Sequence, residues 1–228
     1  YKANEIKADK VYLITREGED KAKKYLDDIT NTLDKKDIKF EIIKCDIKNV
    51  YVVLREMRKI IDKETKHDIY INVSSGTTIC TIAGTMAAML FKKENVSIEP
   101  YYVEPETYTD YNPDKKLNPL TKGVKDIFII PSYKTHLPDD EKIKVMMFIS
   151  KDKNKGVRKE EIVKEIYNNY TSSDRKEKSK MYMSVTRNII EHLRHKPWEL
   201  LTVEGKYKNA TIKLTKNGQD MIKFLKDN

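Results

Sequence analysis

From Lys10 to Ile130 the chain alternates short apolar runs with longer segments whose apolar residues recur every three or four positions. That alternation constrains the fold more than any other feature, because a run of strand–helix units closes economically only as an α/β layer structure. Lys10–Thr15, Phe40–Asp46, Asp68–Val73 and Val96–Glu104 read as buried strands, with Asp126–Ile130 as a fifth. Between them, Lys21–Leu33, Val50–Ile61 and Thr78–Phe91 carry helical periodicity. The third of these is apolar from Ile79 to Leu90 and holds Ala83, Gly84, Ala87 and Ala88, small residues that let a helix lie close to a sheet. The pattern predicts a mainly parallel, Rossmann-like sheet with helices on both faces and right-handed crossovers.

Ligands of such sheets bind beyond the carboxyl ends of the strands. Of the loops there, Asn72-Val-Ser-Ser-Gly-Thr-Thr78 runs straight from a strand into a helix. Ser74, Ser75, Thr77 and Thr78 supply hydroxyls, Gly76 permits close backbone approach, and the helix start adds N–H donors and positive dipole. The loop reads as a phosphate-binding nest, the alternative being a capped helix with a glycine turn. The tyrosines around Glu104-Pro-Glu106 (Tyr101, Tyr102, Tyr108, Tyr111) suit packing at a sheet edge or stacking on a base. Dinucleotide, Walker A and hydrolase-elbow motifs are absent from the sequence. His192 and His195 form only an H-x-x-H, which does not predict a metal site.

Charge separates the chain into two parts. Its 228 residues carry a net +9, yet up to Ser132 the balance is close to neutral. From Tyr133 onward there are 22 basic and 14 acidic residues. The break predicts a domain over 1–132, a proline-containing linker over 133–138, and a second domain over 139–228 built for a polyanion. Two cysteines and no long apolar stretch predict a cytoplasmic protein without a membrane partner.

In the second part, helices are expected over Asp139–Ser150, Arg158–Tyr170 and Ser179–His195, with Thr171–Lys178 as a loop. Two strands, Trp198–Val203 and Ala210–Leu214, and a last helix from about Lys216 follow. This is the order of a winged helix-turn-helix, whose third helix enters the major groove of double-stranded DNA. Lys180, Ser184, Arg187 and Asn188 are placed on its DNA side, with Arg and Asn suited to bidentate base contacts. Lys176 and Lys178 are expected on phosphates, and Lys206, Tyr207 and Lys208 at the wing tip. The alternative is a solvated helix face and an ordinary hairpin.

The two parts together resemble the archaeal regulators that join a CRISPR-associated Rossmann fold (CARF) to a winged helix. The resemblance is carried by Lys7–Ile14, Ile71–Thr78, Ala83–Met89 and Pro100–Pro105. It implies a homodimeric transcriptional regulator in CRISPR-linked antiviral defence, sensing a cyclic oligoadenylate, most plausibly cyclic tetra-adenylate, across its two-fold axis. By position, Asn72, Ser74, Ser75, Gly76, Thr77 and Thr78 would line the ligand, with no further cofactor. Relatives of this kind have one more strand ahead of Lys10–Thr15, so the first strand is expected to be missing from this sequence. Some also cut the ring without metal. Here the motif offers hydroxyls and no general base, so a non-enzymatic regulator is expected first and a metal-independent ring nuclease second. A third possibility is a DNA-binding regulator whose front domain only dimerises.

Overall fold

The computed structural model describes residues 8–18, 22–93, 95–108, 121–133, 135, 137–152, 156–168, 174–205 and 210–225. The chain divides into two compact units, Tyr1–Thr135 and His136–Asn228, and is mixed α/β.

The first unit runs β1 (Lys10–Arg16), α1 (Lys23–Lys35), β2 (Lys39–Cys45), α2 (Val50–Lys63), β3 (Ile69–Asn72), α3 (Thr78–Leu90) and β4 (Ile98–Glu104). It closes with β5 (Thr107–Tyr108), β6 (Thr121–Lys122) and β7 (Asp126–Ile129). β1 and β2 pair in parallel from Lys10↔Lys39 to Arg16↔Cys45. β3 and β4 also pair in parallel, but β7 joins β4 antiparallel, and β5 pairs with β6. The expected single sheet is therefore divided: among the described strands none hydrogen-bonds both β1–β2 and β3–β4–β7. β7 follows the β5–β6 pair and returns along β4 in the opposite direction, from Tyr101↔Ile129 to Glu104↔Asp126.

The core of this unit lies between α2 and α3 and under α3. Val53, Leu54 and Ile61 are buried from α2, and Ala83, Gly84, Ala87 and Ala88 from α3. A Cβ at Gly84 would stand 3.0 Å from Ile71 Cγ2 and 3.1 Å from Val73 Cγ1, so the helix rests almost directly on β3 and the loop after it. At the amino-terminal end of β1, Lys10 Nζ donates to Tyr12 Oη (2.6 Å) and to Glu41 (3.2 Å). Tyr12 donates in turn to Glu64 at 2.5 Å, and Lys63 donates to Glu41 at 2.9 Å. These bonds fasten β1 and β2 to the end of α2, and those from Lys63 and then Lys10 hold the Glu41 carboxyl below its ordinary value.

The second unit runs α4 (Asp140–Lys151), β8 (Val157–Arg158), α5 (Lys159–Ile166) and α6 (Arg175–Val185), followed by a π-helical turn (Thr186–Ile190) and α7 (Glu191–Arg194). β9 (Leu201–Glu204), β10 (Thr211–Leu214) and α8 (Lys216–Leu225) complete it. Asp139 caps α4 through a bond from Lys142 N. Val145, Met146, Ile162, Val185, Ile190, Leu193 and Ile212 pack into one core. The antiparallel sheet has the order β8-β10-β9, so a two-residue strand ahead of α5 completes the hairpin.

Three expectations need correction. The third helix starts at Arg175, because Asp174 accepts a bond from Lys176 N and caps it there, so Lys176 and Lys178 stand on helix and not on a loop. The second helix ends at Ile166, since Tyr167 leaves helical geometry and Asn168 has φ +51°. The strand expected from Trp198 begins only at Leu201, because Trp198 N and Glu199 N close a turn on the His195 carbonyl.

Candidate functional sites

The loop after β3 splits into engaged and free groups. The Asn72 side-chain oxygen accepts from Ser74 N and Ser74 Oγ, both at 2.8 Å, which curls the chain as it leaves the strand. Ser74 Oγ in turn accepts from Val103 N at 2.6 Å, tying the loop to β4. Thr77 caps α3 by accepting from Cys80 N, and its hydroxyl donates to the Ile47 carbonyl at 3.2 Å. Thr81 Oγ1 donates to the Val73 carbonyl. Asn72, Ser74 and Thr77 therefore hold the loop in shape. The hydroxyl count that suggested a nest was half structural.

Ser75, Gly76 and Thr78 remain exposed at the loop's crest. Gly76 has φ +92°, a region an L side chain rarely adopts, and a Cβ there would also meet Cys80 Cβ at 3.4 Å. The crest presents two exposed hydroxyls beside the Thr77-capped amino end of α3, whose dipole favours an anion. Beside it, Tyr101 lies opposite Asn72 in the β3–β4 register. Burial pushes the Tyr101 phenol up, while a hydrogen bond from Asn72 pulls the other way. The Val103 amide and the Ile47 carbonyl are site-shaping groups that local sequence does not reveal, since their partners lie about thirty residues away. Tyr111 lies outside the described residues.

On the second unit, Lys176, Lys178, Lys180, Arg187 and Asn188 are exposed along α6 and the π turn, and Ser184 is half-buried among them. Asn188 Nδ2 donates to Ser184 Oγ at 3.3 Å, which orients an amide that is otherwise exposed. Thr186 Oγ1 donates to the Tyr182 carbonyl at 2.6 Å just where the helix widens. The opposite face supplies Val185, Ile189, Ile190 and Leu193 to the core. The face is thus held by packing behind it and carries four cations and one amide in front, with Glu177 and Met183 exposed among them. Lys206, Tyr207 and Lys208 lie outside the described residues, whereas Glu204 at the foot of the hairpin pairs with Lys213 at 2.5 Å. His195 pairs with Glu191 at 2.9 Å. Among the described residues no His, Cys, Asp and Glu side chains gather as a metal-binding group, and no helix is long and apolar enough to cross a membrane.

A family model described as "HFX_2341_N:-like, N-terminal" matches residues 2–108, which is the first unit through β5. The chain is also 31% identical over 206 residues to the uncharacterized protein MJ1513 of Methanocaldococcus jannaschii, an alignment taking in 79% of this chain. It spans 62% of that protein's length. The relative is thus a longer archaeal protein, of which this chain matches a part.

Proposed function

We propose that the protein is a homodimeric, DNA-binding transcriptional regulator. In this reading the first unit is a Rossmann-like domain of the CARF type that senses a cyclic oligoadenylate, with cyclic tetra-adenylate the leading candidate. The second is a winged helix-turn-helix that docks its third helix in the major groove. The observation that carries the reading is the exposed face of α6 and the π turn: cations and an oriented amide on a helix backed by a hydrophobic core, beside an antiparallel hairpin. Electrostatic attraction to phosphates supplies sequence-independent affinity, and Arg187 and Asn188 have the donor geometry for base edges. Binding of a labelled duplex library, followed as a function of salt, tests it; no salt-dependent binding would remove the reading.

The ligand part rests on Ser75, Gly76 and Thr78. Replacing Ser75 and Thr78 together by alanine should weaken cyclic tetra-adenylate binding about a hundredfold or more, the loss of two hydroxyl bonds to charged oxygens. Their exposure means the melting temperature should not move. Ser74→Ala should do the reverse, lowering stability by about 1 kcal/mol by orphaning Val103 N. Calorimetric titration and thermal melting of the same variants check both halves, and equal ligand affinity in the double variant would count against the nest. The structural employment of Ser74 and Thr77 favours one rival, a first unit that only dimerises; absence of ligand binding by the wild-type protein would establish it. Following linear products of the ring with time tests the ring-nuclease alternative.

The dimer has a specific candidate surface. Ile82 and Met86 lie one turn apart on α3 and are 46% and 37% exposed, apolar side chains turned away from the small-residue face that meets the sheet. Two copies of α3 related by a two-fold axis would bury each pair against the other. Ile82→Lys with Met86→Lys should convert the dimer to monomer in sedimentation; an unchanged mass would place the interface elsewhere.

A further inference from the structure

We propose that Met183 is a specificity-determining residue that reads the C5-methyl group of a thymine in the major groove, an inference that rests on the DNA-binding reading above. Among the described residues of the second unit, Met183 is the one large apolar side chain left exposed, at 69%. The neighbouring methionines of that unit, Met146, Met147, Met181 and Met221, all pack in or against its core. Met183 stands in the middle of the cationic face: Lys176, Lys180, Met183 and Arg187 follow one another at steps of four, three and four residues, which places them in a single row on the helix.

A lone apolar group amid cations is a poor surface for another protein's core, which would have to desolvate Lys180 and Arg187 to reach it. Duplex DNA fits without that cost, because it offers phosphates to the flanking cations and, between them, one apolar group on the groove floor, the thymine methyl. The reach also suits the neighbours. Asn188, its amide oriented by Ser184, is the side chain matched to adenine N6 and N7, and the partner of every adenine is a thymine carrying the methyl. The thioether is unbranched and polarizable, so it can settle on a methyl whose position varies with local twist.

The test begins with binding sites selected by the wild-type protein from random duplexes. Each thymine in a selected site is then replaced by uracil, which removes the methyl alone. At one or two positions the wild type should lose about fourfold in affinity, the value of one buried methyl. Met183→Ala should bind the thymine and uracil duplexes equally, Met183→Leu should restore the difference, and all three proteins should melt together because the residue is exposed. Equal binding of thymine and uracil at every position by the wild type overturns the inference, as does an undiminished uracil penalty in Met183→Ala. A Met183→Ala variant that changes oligomeric mass while keeping the penalty overturns it too, assigning the side chain to a protein interface. Failure of the wild type to select any duplex would instead remove the DNA-binding reading itself.

Discussion

Replacing Lys180 and Arg187 together by alanine should lower affinity for duplex DNA about a hundredfold and make that affinity less sensitive to salt. Arg187 is exposed directly after the start of the π turn and can offer two guanidinium N–H donors to a guanine, an interaction worth about 1–3 kcal/mol. Lys180, two turns earlier in the same row, lies where a phosphate strand would pass and adds a contact of the counterion-releasing kind. Each such contact contributes about −0.9 to the slope of log affinity against log salt, so the double variant should be shallower by roughly one unit or more. Neither side chain belongs to the core, so circular dichroism and melting should match the wild type. Unchanged affinity would move the DNA-binding surface away from this helix.

Gly218→Ala should destabilise the second unit by about 2–3 kcal/mol, although alanine in an unobstructed helix interior would stabilise by about 1 kcal/mol. Gly218 lies in the first turn of α8, where its N–H donates to Thr215 Oγ1 at 3.2 Å. A Cβ there would collide with the Leu200 carbonyl oxygen, a backbone atom already accepting from Thr215 N at 3.0 Å. Backbone cannot rotate out of the way as a side chain can, so α8 must lift, and with it Ile222 and Leu225. For a unit of this size the loss corresponds to roughly 10–20 °C in the transition that unfolds it. At Gly84 the obstructing atoms are side-chain methyls at 3.0–3.1 Å, and the same substitution should cost less. Equal effects at the two sites would mean that α8 is not held where these contacts place it.

The strand–helix alternation of the first unit was readable because its helices and longer strands display their own period, which the two-residue β5 and β6 do not. Thr78–Leu90 is apolar apart from Gly84 and three threonines, and the helix appears where Thr77 caps it. What the period could not reveal was pairing. Whether β1 meets β3, and that β7 returns antiparallel, depends on edges far apart in the chain. In the second unit, Arg175-Lys-Glu-Lys178 looks like a loop by polarity, yet every residue in it is a good helix former and Asp174 provides the cap. β8 is two residues long, too short for any alternation, and the π turn leaves the apolar spacing from Val185 to Leu193 almost unchanged. The candidate loop was legible as a loop, but its division of labour was not. Ser74 and Ser75 are identical letters side by side, and only the position of Val103 N makes one a fastener and the other free.

The helix α3 has a mechanical consequence of its own. Its first turn is the wall of the Ser74–Thr78 loop, and at its far end the Met89 carbonyl accepts from Thr135 N at 3.1 Å, at the last residue of the first unit. Thirteen residues of α-helix make a rod of about 20 Å. Buried at Ala83, Gly84, Ala87 and Ala88, such a rod moves as one piece. A displacement of its first turn would be felt at the point where the chain leaves the unit, as a push on one end of a poker is felt at the other.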